Sequence, residues 1–87
     1  MTFPTIHRNG TSADTLNADL GNAYDALNTA YDAVKKCGPN GRDYYPQPGD
    51  ALGAATYEHL ERLRAIDRVM KELEAIMENI NLQDSAK

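Results

Sequence analysis

Two short polar strings hold the side chains best suited to chemistry. Thr5-Ile6-His7-Arg8-Asn9-Gly10-Thr11-Ser12 runs into a helical pattern, and Pro39-Asn40-Gly41-Arg42-Asp43-Tyr44-Tyr45-Pro46-Gln47-Pro48-Gly49 interrupts it. In the second string Arg42 offers a planar fork for phosphate or carboxylate, while Tyr44 and Tyr45 offer flat faces on which a base could stack. In the first, His7, Arg8, Asn9, Thr11 and Ser12 are hydrogen-bonding groups beside the free N–H groups of a helix start, which is the chemistry of an anion site. Each string also has a purely structural reading. Asn40-Gly41 can make a tight turn, Arg42 can pair with Asp43 and the tyrosines can cap the end of a core; the first string can be an N-cap behind a flexible arm.

Little else in the chain suggests catalysis. His59 falls in a core row and reads as a satisfied buried or boundary histidine, and Cys37 reads as a small apolar residue at a helix end. Neither has a partner at a spacing that would make a nucleophile, and one cysteine with two distant histidines does not make a zinc site. With no paired carboxylates either, the expectation is a non-enzymatic protein with no catalytic residues, metal or cofactor. The net charge of -4 argues against duplex nucleic acid and anionic membrane as partners, since both need a basic face. A small anion can still be held by a local cluster of donors. No apolar h-region follows a basic start, and no run approaches the roughly 18 to 20 apolar residues of a membrane span; the expected location is the cytoplasm, away from membrane.

The elements that must position these strings are helices. Residues 1–10 have no amphipathic period and read as an N-terminal arm. Helix one is expected over 11–37, with Thr11 or Ser12 as N-cap and Asp14 in the first turn. Its apolar or small residues recur in heptads, with Ala13, Leu20, Leu27 and Val34 in one row and Leu16, Ala23, Ala30 and Cys37 in the other, the pattern of a coiled-coil seam. Tyr24 and Tyr31 lie along an edge of it, and Ala26 and Ala33 widen the stripe. Residues 38–50 are too rich in Gly and Pro to be helical and are much longer than a helical hairpin needs. Asp50 then caps helix two, expected over 51–81, with Leu52, Ile66, Leu73 and Ile80 in one row, Leu63, Met70 and Met77 in the other, and Leu60, Val69 and Ile76 broadening the face. Glu58/Arg62, Asp67/Lys71 and Arg68/Glu72 are spaced as exposed ion pairs. Residues 82–87 are expected to fray.

The two helices would be about 39 and 45 Å long at 1.5 Å per residue, similar enough to predict an all-α antiparallel hairpin in a single domain, 1–87. A core in a chain of 87 residues supplies only a few kcal/mol. Each helix carries an apolar surface wider than a two-helix seam needs, so the hairpins are expected to assemble into an oligomeric helical bundle.

The strings T-I-H-R-N-G-T-S and P-N-G-R-D-Y-Y-P, joined by the heptad helix and followed by E-H-L-E-R, resemble small helical proteins encoded by bacteriophages and prophages. The architecture is similar to that of phage proteins that act as sponges for the nucleotide signals of bacterial immunity. The resemblance implies a phage accessory protein that sequesters a small phosphorylated ligand, such as a cyclic oligonucleotide or an NAD-derived signal. Arg42 would pair with phosphate, Tyr44 and Tyr45 would stack on a base, and His7, Arg8, Asn9, Thr11 and Ser12 would donate hydrogen bonds. The other expectation is a helical protein-binding module that inhibits a host protein or serves as a virion-assembly adaptor.

Overall fold

The computed structural model describes residues 1–86. α1 spans Ala13–Lys36 and α2 spans Ala51–Ser85, and among the described residues there is no strand. The helices pack against each other along their length in a rod measuring 62 × 21 × 18 Å. Ser12 caps α1 by accepting from the Thr15 amide at 3.1 Å, and Asp50 caps α2 by accepting from the Gly53 amide at 3.0 Å. Between them lies a single 3-10 turn over Gly41–Asp43. Gly49, with φ of 71°, takes the left-handed conformation that glycine adopts without strain and so leads the chain into the cap of α2.

One heptad row falls differently from expectation. The row Ala13, Leu20, Leu27, Val34 does face α2, but Ala23, Ala30 and Cys37 are exposed, and the second row that faces the partner is Asn17, Tyr24, Tyr31. Asn17 and Tyr24 form a polar ladder along one edge of the seam. The Asn17 amide donates to Asn81 at 2.9 Å and the Tyr24 hydroxyl donates to Glu74 at 2.7 Å, so the contacts step seven residues up α1 as they step seven down α2. The ladder sets the antiparallel register, as polar groups at seam positions do in coiled coils. The bond to Glu74, then partial burial and neighbouring carboxylates, hold the Tyr24 hydroxyl above its ordinary pKa. The fold therefore favours protonated Tyr24, and this contact stabilises at neutral pH and is lost only as pH rises beyond the tyrosine range.

On α2 the expected rows face inward over most of their length, with Met70 and Ile80 buried and Leu63, Ile66, Leu73 and Met77 partly covered. Leu52 and Leu60 stay exposed because α2 begins beside the connecting loop. Asp67/Lys71 and Arg68/Glu72 pair at 2.9 and 3.0 Å, whereas Glu61, not Glu58, takes an arginine, Arg64. Arg62 has no ion pair among the described residues.

His59 is buried, and its Nε2 lies 2.8 Å from the Val34 carbonyl, which at the end of α1 also accepts from the Cys37 amide at 3.1 Å. It serves as a side-chain cap from the opposite helix. His59→Ala should lower stability by about 0.5–1.5 kcal/mol through the lost hydrogen bond, seen as a lower thermal midpoint with helicity below the transition unchanged.

Residues 82–85 also depart from expectation. α2 continues through Ser85 rather than fraying from residue 82, because Gln83 is engaged on both sides of its amide. Its oxygen accepts from the Ile6 amide at 2.9 Å and its nitrogen donates to the Pro4 carbonyl at 2.8 Å. The arm is thereby strapped to α2, with Met1 reaching the surface around Arg64, Arg68 and Lys71. Lys87, the last residue of the predicted tail, lies outside the described residues.

Candidate functional site

The two polar strings lie at opposite ends of the rod. At the arm end, the Gly10 amide donates to the His7 carbonyl at 3.1 Å, closing a turn over His7–Gly10. The imidazole of His7 folds over Gly10 so closely that a Cβ there would sit 2.7 Å from Nε2. His7, Arg8 and Ser12 line a shallow concavity of about 310 Å³ at the start of α1, together with Ile6, Asp14 and Asp84. Asn9 and Thr11 are exposed beside it but do not line it. Arg8 and the helix N-terminus favour an anion there, and the two carboxylates oppose one. The Ser12 hydroxyl is already committed to Thr15, through both the amide and the side-chain oxygen.

At the loop end, Asn40 accepts from the Arg42 amide at 3.0 Å, and the Tyr44 and Tyr45 amides both donate to the Gly41 carbonyl. These bonds make the loop a defined turn. Arg42 is exposed and forms no ion pair with Asp43 or any other described residue. The tyrosines separate. Tyr44 is half-buried, whereas Tyr45 is 82% exposed, so Tyr45 offers a free ring and Tyr44 contributes one face at most.

One chain thus brings His7, Arg8 and Ser12 together, and Arg42 near Tyr44 and Tyr45, but it does not unite the two groups. α1 alone separates them by about 36 Å at its helical rise. Cys37 is an exposed free thiol that donates to the Val34 carbonyl, not the core residue its heptad position suggested. No group of three or more His, Cys, Asp or Glu among the described residues could hold a metal ion, and no helix is long and apolar enough to cross a membrane. The polar ladder escaped the sequence reading, although its signal was present as heptad spacing in Asn17, Tyr24, Tyr31 and in Asp67, Glu74, Asn81. No family model matches this chain, and no curated protein or solved structure is significantly similar to it.

Proposed function

We propose that this protein is a non-enzymatic helical interaction module that acts as an assembly of hairpins. The observation that carries the reading is how little the single hairpin encloses. Ile80 is its fully buried large side chain, and the other buried apolar residues are Ala13, Ala55 and Met70. A core of that size does not offset the chain entropy of 87 residues. Exposed Leu52, Tyr57 and Leu60 add apolar surface near the loop. Light scattering at micromolar concentration tests the reading: a dimer or larger species is expected, and a stable, well-folded monomer would remove it.

A second reading is favoured by the ordered loop that presents Arg42 and Tyr45 to solvent. In it, a phage-encoded assembly sequesters a small phosphorylated ligand such as a cyclic oligonucleotide, with the arm residues completing the site. Thermal melting against a panel of cyclic and NAD-derived nucleotides tests this. A ligand at 100 times its Kd adds about 2.7 kcal/mol, and no shift with any member at millimolar concentration would leave the assembly reading alone.

A further inference from the structure

Three adjacent rows run along α1, and the hairpin uses two. Ala13, Leu20, Leu27 and Val34 form the middle row and Asn17, Tyr24 and Tyr31 the ladder on one edge. On the other edge Ala23, Ala30 and Cys37 are exposed, and Leu16 is half-buried. The corresponding edge of α2, away from Asp67, Glu74 and Asn81, carries Arg62, Val69 and Ile76 and ends at Gln83, to which the arm is bonded. Val69 and Ile76 are half-buried. Hydrogen bonds cross the ladder edge at Asn17 and Tyr24, while the edge opposite is an apolar groove lined by Ala23, Ala30, Val69 and Ile76 and widened by Ala26 and Ala33. We infer that this groove is the contact face for a second copy of the chain, laid antiparallel about a two-fold axis near Ala26. The inference rests on the assembly reading above and fixes its face and direction.

Surface area supports a partner of this size. The chain exposes 6369 Å², whereas a compact monomer of 9.6 kDa exposes about 5,100 Å². The excess, about 1,300 Å², is more than the roughly 800 Å² that each partner hides in an interface of standard size. Charge sets the direction. Asp19 borders the groove near the arm end. Arg62, one helical turn beyond the His59 that is tied to Val34, borders it near the loop end. Neither has an ion pair among the described residues. A two-fold axis at Ala26 sets residue 19 of one copy against residue 33 of the other, where Arg62 stands, and so forms the pair twice. Parallel copies would set Asp19 against Asp19 and Arg62 against Arg62. Alanines at the centre let the two α1 helices approach closely, and the contact is isologous as a two-fold requires. The same axis carries the His7–Ser12 string of one copy to the Arg42–Tyr45 loop of the other.

Disulfide mapping on a Cys37→Ser background distinguishes the arrangements. Ala26→Cys should oxidise to a covalent dimer. Asp19→Cys and Ala33→Cys should each stay monomers on oxidation alone and form a reducible cross-linked dimer when mixed. Independently, Asp19→Arg and Arg62→Asp should each weaken the dimer by about tenfold, and the double reversal should restore it. Circular dichroism verifies folding, which exposed positions should not disturb. Self-cross-linking at both 19 and 33 would mean parallel copies, and a dimer without cross-links at any of the three would mean another face. Either overturns the inference and leaves the assembly reading intact, whereas a wild-type monomer at all concentrations overturns both.

Discussion

Ile80→Asp should leave the chain largely unfolded, with the helical far-UV signal lost rather than shifted to a lower midpoint. Ile80 is 0% exposed at the end of the rod where α1 begins, α2 finishes and the arm is strapped to Gln83. An unpaired carboxylate there costs several kcal/mol or takes up a proton and still leaves a polar group without a partner. That cost matches or exceeds all that a small single core supplies. Leu27→Asp and Ile66→Asp, at half-buried positions of the seam within the hairpin, should destabilise the hairpin less than Ile80→Asp does. Ala23→Asp, on the exposed row, should keep its helicity and lose its oligomer. If Ile80→Asp melted like wild type, the arm would not close that end of the core.

A 1:1 mixture of two inactive variants should recover about a quarter of the ligand sites of wild type. One variant carries His7→Ala with Arg8→Ala, which line the concavity at the arm end, and the other Arg42→Ala with Tyr45→Ala. In a two-fold dimer each site would take an arm from one copy and a loop from the other. After free exchange half of the dimers are mixed, and each mixed dimer has one site with both halves intact. Titration with a nucleotide that shifts the wild-type melting temperature measures the stoichiometry. Recovery of none, with exchange demonstrated by tagged subunits, would mean that arm and loop do not share a ligand.

Much of the hairpin was legible in the spacing of its residues. Heptad rows, an N-cap at Ser12, the Gly/Pro break after Cys37 and the cap at Asp50 all mark elements by local chemistry. The face of α1 that turns toward α2 was not legible, because alanines at 23 and 30 and tyrosines at 24 and 31 recur with the same period. The tyrosines prevail because each ring covers several times the area of a methyl group, and the Tyr24 hydroxyl also finds Glu74. The docking of the arm had no signal at all: one glutamine amide offers a donor and an acceptor that match a backbone carbonyl and N–H, and no periodicity betrays it. Tyr44 and Tyr45 are chemically identical neighbours, and only the turn about Gly41 decides which of them is covered.

The antiparallel register also orders events in time. The hydrogen bonds between distant segments of the chain close loops of increasing length: Val34 to His59 spans 25 residues, Tyr24 to Glu74 spans 50, Asn17 to Asn81 spans 64, and Ile6 to Gln83 spans 77. Each doubling of loop length adds about 0.6 kcal/mol of closure entropy, but once the shortest loop is closed every later contact needs only a short extension. By loop length alone the chain would zip from the Gly/Pro end and close the strap at Gln83 last. In native-state hydrogen exchange the Ile6 amide should open first and the amides around His59 last, so the end that carries His7 to Ser12 is the end that samples open states most often.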